Sequence, residues 1–298
     1  MTGLTFGPNE AEAARTLIAL ALAEDFGTRG DVTSQCLIPA EQQGAVEIVS
    51  RQHGVWAGAP VGKLVFEAVD PTVTWTTQVE EGVTVSPGTS VAAISGSVRS
   101  LLGGERTVLN FLSRISGIAT ATQKYVAATA GTKARILDTR KTLPAYRLLD
   151  KYAVRAGGGH NHRMGLYDGC LIKDNHIGAW RAADASHSLA EAVRQARANP
   201  DNDLPIEVEV DDLNQLADVL TAMPQMVLLD NMNAEQLKQA VAMRDQSAPG
   251  VLLEASGGIT LENVAEIAHS GVDRISIGAL THSVTALDLG FDWRRCVD

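Results

Sequence analysis

From residue 134 onward, short β-rich runs alternate with amphipathic helical stretches, and few architectures satisfy that alternation. The runs are ARIL (134–137), CLIK (170–173), IEVEV (206–210), MVLLD (226–230), VLLEAS (251–256) and RISIG (274–278). Segments such as SLAEAVRQARA, DLNQLADVLTAM, AEQLKQAVAMRD and LENVAEIAHSG separate most of them. Strand and helix in this alternation indicate parallel βαβ units. The runs are nearly continuous in apolar residues, as strands buried on both faces require. A barrel and an open doubly wound sheet both fit. Thr260 is expected to open the last of these helices and Gly271 to close it.

The placement of polar residues favours the barrel. Each run ends in polar or glycine-rich sequence: DTRKT, KDNH, Glu209, DN, SGG and GALTHS. Functional residues gathered at the C-terminal ends of several strands are characteristic of an α/β barrel. A Rossmann sheet concentrates its signal in one early glycine loop, and neither GxGxxG after a strand nor a Walker A sequence occurs.

The preceding hundred or so residues read differently. A helix is expected near 9–25, with capping-box spacing between Asn9 and Glu12. Short strands follow near Ala45–Ser50 and Val73–Val79, punctuated by Gly and Pro. A long helical pattern then runs from about Leu101 to Thr129. The expected division is a mixed α/β domain over 1–120 and a barrel over 121–283, with the tail of about 284–298 returning to the first domain.

Net charge is −10, which argues against non-specific nucleic-acid binding. Its distribution is uneven. Between Lys133 and Lys173 lie nine basic residues against Asp138, Asp150 and Asp168, a local excess of six positive charges. Such a concentration attracts anions. Arg147, Lys151 and Arg155, at i, i+4 and i+8, read as the solvated face of a helix; the others need another reason. The three cysteines (Cys36, Cys170 and Cys296) are far apart, and the N-terminus lacks the charged and apolar regions of a signal peptide. A reduced, cytosolic compartment is therefore expected.

Together the strand ends supply Arg140, Lys141, Lys173, Glu209, Asp230, Ser256, Gly257, Gly258 and Gly278, and the loop GGGHNHR adds His162 and Arg163. Thr139, beside Arg140, is a further candidate for substrate binding. Glycine-rich turns after the last two strands let main-chain N–H groups approach a phosphate. A helix opening at Thr260 would aim its positive end at the same point. The expected substrate is a polyanion with phosphate at one end. Glu209 and Asp230 fit general acid–base, metal-binding or hydroxyl-accepting roles. Mg²⁺ carried in on a pyrophosphate needs few protein ligands. No Ser–His–Asp or Cys–His arrangement is evident.

The strings ERTVLNFLSRISGIAT (105–120), DTRKT (138–142), KYAVRAGGGHNHRMGLYDGCLIKDNH (151–176), EVEV (207–210), LLDNM (228–232), LEASGGI (253–259) and GVDRISIGALTHS (271–283) resemble quinolinate phosphoribosyltransferases, type II phosphoribosyltransferases. The resemblance spans nearly the whole chain. It implies an N-terminal open α/β sandwich, a C-terminal barrel of fewer than eight strands, and a homodimer. It also implies quinolinate and phosphoribosyl pyrophosphate as substrates with Mg²⁺, and nicotinate mononucleotide, pyrophosphate and carbon dioxide as products. By motif, Arg140, His162, Arg163 and Lys173 hold the quinolinate carboxylates, and Lys141 lies between the substrates. Glu209 and Asp230 take ribose hydroxyls, and Ser256–Gly258 and Ile277–Ala279 take the 5′-phosphate. Arg106 reaches into the neighbouring subunit's site. The family's usual Thr-Pro-Gly after RKT is here Leu143-Pro144-Ala145.

Two other readings compete. A sister transferase for nicotinate would need fewer cations for its single carboxylate. A non-catalytic paralogue would be expected to lose the carboxylates or Arg106, and both are present. Among the remaining polar residues, Arg114 reads as a solvated or inter-subunit ion pair and Cys170 as a core residue. His160 and His162 lack a third metal ligand. Of Glu207 and Glu209, which share one strand face, Glu209 is expected to bind.

Overall fold

The computed structural model describes residues 4–182 and 184–293. Cys296 and the end of the expected tail lie outside that range. The chain divides into two units: Met1–Gln123, Lys141–Gly158 and Ala279–Asp298 form the first, Lys124–Arg140 and Gly159–Gly278 the second. No helix among the described residues is long and apolar enough to cross a membrane.

In the first unit the strands are β1 (Gln43–Ser50), β2 (Gly54–Val55), β3 (Thr74–Thr77), β4 (Thr84–Val85) and β5 (Ser90–Ser97). β1 and β3 each pair antiparallel with β5, and β2 pairs with β4. The helix Pro8–Phe26 starts two residues earlier than Asn9 suggests, because Glu10 caps the Gly7 N–H at 3.1 Å. Helix Val98–Ala128 follows β5 directly. It carries Gly104 where an added Cβ would lie 2.7 Å from the Phe66 ring.

The second unit holds β6 (Arg135–Leu137), β7 (Cys170–Ile172), β8 (Ile206–Val210), β9 (Met226–Asp230), β10 (Leu252–Ser256) and β11 (Arg274–Ser276). All pairs are parallel, in the order β6-β11-β10-β9-β8-β7. Chain neighbours pair from β7 to β11, and β11 then pairs with β6. This is the cyclic order of a barrel, interrupted only where β6 and β7 would meet. A doubly wound sheet would instead reverse its order part-way. At the free edge of β6, His160 forms one parallel bridge with Leu137.

The chain closes with β12 (Leu289–Trp293), which pairs antiparallel with β1 in the first unit. The antiparallel and the six-stranded parallel sheets give the mixed α/β class expected, one unit an antiparallel domain and the other an incomplete barrel.

Three local expectations are corrected. Helix Arg147–Ala156 is not a solvated basic face: Lys151 is fully buried, and Arg155 pairs with Glu10 at 2.6 Å. Arg114 is neither solvated nor left for a partner chain, since its Nε and Nη2 bind the buried Asp150 carboxylate at 3.0 and 2.8 Å. The last helix of the second unit begins at Val264 and not at Thr260, with residues 261–263 in a turn. It spans only six residues, so the expected helix-end contribution to phosphate binding falls away.

Ala145 has φ 63°, so the residue that departs from the family's Gly occupies a left-handed conformation. That conformation costs a non-glycine residue about 1–2 kcal/mol, more than the roughly 0.5–1 kcal/mol of chain entropy that glycine adds. Ala145→Gly should therefore raise stability by about 0.5–1 kcal/mol, measurable as a higher urea midpoint. An unchanged or lower midpoint would contradict the assigned strain.

Candidate active site

The strand ends of the second unit divide into a basic side and a side of carboxylates and glycine turns. Asp138, just beyond β6, is fully buried. Its carboxylate accepts the Asn161 side-chain amide at 2.5 Å and the His162 N–H at 2.9 Å. This ties the loop carrying His162 and Arg163 to the free edge of β6. Gly157 belongs to the first unit, where an added Cβ would lie 2.4 Å from the Ala119 carbonyl oxygen. The start of the glycine triplet is thus a close-packing requirement and not slack chain.

Arg140 follows β6 with its Nε buried and without a hydrogen-bond partner among the described residues. Arg163 donates from Nη1 to the Gly169 carbonyl at 2.9 Å. Burial, and then repulsion by the Arg140 guanidinium, lower the Arg163 pKa. Two guanidiniums held in mutual repulsion are stabilised by an anion. Lys173 closes β7 and its Nζ pairs with the Glu209 carboxylate at the end of β8. Thr139, beside Arg140, is half-buried.

His162 is turned inward. Its Nε2 lies 3.1 Å from Glu207 and 3.3 Å from Glu254, and Glu254 also accepts Arg274 Nε at 2.6 Å. Burial alone would lower the imidazole pKa, but the hydrogen bonds to Glu207 and then Glu254 outweigh it and raise it to about 9. The Arg163 N–H lies 2.7 Å from Nδ1 and can donate to it only while the ring is neutral, since the charged ring carries a proton on both nitrogens. In the neutral ring that bond leaves the proton on Nε2, so Nε2 faces the carboxylates as a donor in either protonation state. Although His162, Glu207 and Glu254 have metal-like spacing, a metal needs a bare ring nitrogen with the other donating, and this ring has the reverse arrangement. Glu207 is thus structural in its pairing, as the strand alternation allowed. A cavity of about 230 Å³ adjoins it, lined by His162, Arg163, Cys170, Glu207 and Arg274 among others. Cys170 is half-exposed there and not a core residue.

On the other side, Asp230 closes β9 in register with Ser256 of β10. Gly257 (φ 87°) and Gly258 (φ 59°) follow Ser256, conformations open to glycine without strain. Their N–H groups donate to none of the described residues. Ile277 is a correction: its N–H donates to the Leu137 carbonyl at 2.9 Å and its side chain is buried, so it has no donor left for phosphate. Gly278 is the adjacent position. Arg106 (exposed on helix Val98–Ala128), Lys141 and Ala279 belong to the first unit. Sequence reasoning passed over Asp138, Asn161 and Glu254. The signal for Asp138 was available in its place beside Arg140 in DTRKT. A larger, mostly apolar cavity of about 520 Å³ beside Trp180 and Ile177 has no Lys, Arg, Asp or Glu in its lining, where His176 is the one ionisable side chain.

The family models for the quinolinate phosphoribosyl transferase N-terminal and C-terminal domains match residues 31–116 and 118–292. A curated relative named nicotinate-nucleotide pyrophosphorylase [carboxylating], from Mycobacterium leprae, is 47% identical over 95% of this chain and 98% of its own. One from Bacillus subtilis, named a probable enzyme of that kind, is 41% identical over 90% and 89%. The solved nicotinate-nucleotide pyrophosphorylase of Francisella tularensis superposes with TM-score 0.88 at 35% identity, covering 99% of this chain and all of that one.

The raised His162 pKa has a stability consequence. A histidine whose folded pKa exceeds its unfolded value near 6.5 contributes fully below that value and loses its contribution as pH rises through about 9. The thermal midpoint should therefore fall across this window, and Glu207→Gln should flatten the fall. Equal slopes in the two proteins would contradict the assignment.

Proposed function

The chain belongs to the quinolinate phosphoribosyltransferase family, and from that premise we propose how its residues carry the reaction. The enzyme is a pentosyltransferase of de novo NAD biosynthesis. It transfers the phosphoribosyl group of phosphoribosyl pyrophosphate to quinolinate with decarboxylation, giving nicotinate mononucleotide, pyrophosphate and carbon dioxide. The observation that carries the residue assignment is the opposed pair Arg140 and Arg163, two cations whose repulsion a dicarboxylate relieves. Lys173 completes the basic set, with His162 beside Arg163. A nicotinate site would need fewer charges.

Asp230 and Glu209 accept ribose hydroxyls, and Glu209 exchanges its Lys173 contact for substrate. Ser256, Gly257, Gly258 and Gly278 hold the 5′-phosphate. Lys141 bridges the two substrates. Mg²⁺ carried on phosphoribosyl pyrophosphate would neutralise the charge of the departing pyrophosphate, and the hard oxygens of Asp230 and Glu209 would fit its hydrated form. The pyridine nitrogen is already a nucleophile, so no strong base is required. Displacement at C1 passes through an oxocarbenium-like state stabilised by the two carboxylates. Alkylation makes the nitrogen cationic, and that charge stabilises the carbanion left when the adjacent carboxylate departs as carbon dioxide; a proton from solvent then takes the carboxylate's place on the ring carbon. Orientation and charge neutralisation supply most of the rate. We place the reaction in the cytosol, in keeping with the free thiols of Cys36 and Cys170.

Arg106, exposed on its helix, completes the site of a second copy in a homodimer. Incubation with phosphoribosyl pyrophosphate, Mg²⁺ and either quinolinate or nicotinate should give nicotinate mononucleotide from quinolinate alone, with release of carbon dioxide. Turnover of nicotinate alone would overturn the diacid pocket. Arg106→Ala and Arg140→Ala should each lose most turnover while remaining folded. Random exchange of the two should restore about a quarter of wild-type activity, since half the dimers carry one intact site. No recovery in exchanged dimers would sink the shared site.

A further inference from the structure

Asn231 follows Asp230 and is one of three non-glycine residues with positive φ among those described, at 55°. Asparagine tolerates this region better than most residues, but the conformation still has to be held by its surroundings. Three contacts hold it, all in the second unit. Its N–H donates to the Ser256 carbonyl at 2.9 Å, extending the β9–β10 ladder by one bond. The left-handed turn folds its side chain back along the chain, so that Nδ2 donates to Asp230 Oδ2 at 2.7 Å. Its Oδ1 occupies the space beside Gly257, where an added Cβ would lie only 2.2 Å away.

One side chain therefore touches both the carboxylate at the end of β9 and the turn at the end of β10. A second amide braces the far side of that turn. Asn263 accepts the Thr260 N–H at 2.8 Å and donates to the Gly258 carbonyl at 3.0 Å. The absence of Cβ at Gly257 is needed twice, for its φ of 87° and for the approach of Asn231.

We propose that Asn231 is a positioning residue that locks the hydroxyl-accepting carboxylate of Asp230 to the phosphate-holding turn Ser256–Gly258, fixing the spacing at which a phosphorylated ribose is gripped. Its bond to Oδ2 leaves Oδ1 as the oxygen for the ribose hydroxyl. The proposal rests on the roles given above to Asp230 and the turn. It adds a residue that acts through them and selects the phosphoribosyl substrate over the pyridine substrate.

Steady-state kinetics on Asn231→Ala, Asn231→Gly, Asp230→Asn and the double variant Asn231→Ala/Asp230→Asn test it, with ribose 5-phosphate binding measured by calorimetry. Both Asn231 variants should raise the KM for phosphoribosyl pyrophosphate about tenfold and weaken ribose 5-phosphate similarly, with the quinolinate KM within about twofold of wild type. The double variant should be little worse than the poorer single one, as coupled groups require. Asn231→Gly accommodates the backbone without strain and carries the test if Asn231→Ala fails to fold. Wild-type behaviour of Asn231→Gly, alongside an impaired Asp230→Asn, would overturn the positioning role and leave the Asp230 assignment standing. An equal rise in both KM values would also overturn it, as general distortion. A silent Asp230→Asn would overturn the Asp230 assignment, and this proposal with it.

Discussion

Asp138 is fully buried, and its carboxylate takes the Asn161 amide and the His162 main-chain N–H. A buried carboxylate without such donors would cost several kcal/mol, so the loop and the strand end specify each other. The barrel lacks a β6–β7 pairing, and at the free edge of β6 this carboxylate reinforces the main-chain bonds that His160 makes with Ile136 and Asp138. His162 then reaches Glu207 and Glu254, which sit on β8 and β10. The basic loop is thus anchored at its main chain by one acid and at its imidazole by two more. Arg163, next in sequence, inherits its place from both anchors.

The excess of positive charge between Lys133 and Lys173 serves more than one purpose. Lys133 pairs with Asp273 at 2.6 Å, and Arg155 pairs with Glu10. Lys151 is buried in the helix Arg147–Ala156. Arg140 and Arg163 differ in having no carboxylate ion pair among the described residues; Glu207 and Asp168 attract Arg163 at longer range, whereas Arg140 keeps a buried Nε without a hydrogen bond. A cation desolvated without a counter-ion is unfavourable unless a ligand supplies one. Charge density alone located the region; burial and pairing set Arg140 and Arg163 apart from Lys133 and Arg155 within it.

The parallel strands were legible because burial on both faces imposes long apolar runs, and the polar residues closing them marked the functional ends. Helix starts were less legible. Gly7 has no side chain and can only donate its N–H to the Glu10 carboxylate, so residue type gave no sign that it, and not Asn9, begins the first helix. Thr260 looked like a cap, yet its N–H is taken by Asn263 in a turn that delays the helix to Val264. The i, i+4, i+8 spacing of Arg147, Lys151 and Arg155 described one helix face correctly and said nothing of what covers it. Ile277 sat in the right motif, but its N–H is spent on Leu137 across a strand pair distant in sequence. Such long-range pairings decide which donors remain.

The unpaired edge between β6 and β7 makes the second sheet a ribbon bent toward closure and not a closed cylinder. In a closed cylinder every strand is held on both sides, and opening any part disturbs the whole hoop. Here β9 and β10 keep neighbours on both sides while β7 is held by β8 alone. Local opening follows the weakest ladder. Amide protons of β7 should therefore exchange through smaller excursions than those of β9 and β10. The fold thus keeps its least protected backbone beside Lys173 and its most protected backbone beneath the glycine turn Ser256–Gly258, so one edge of the sheet can breathe while its middle stays still.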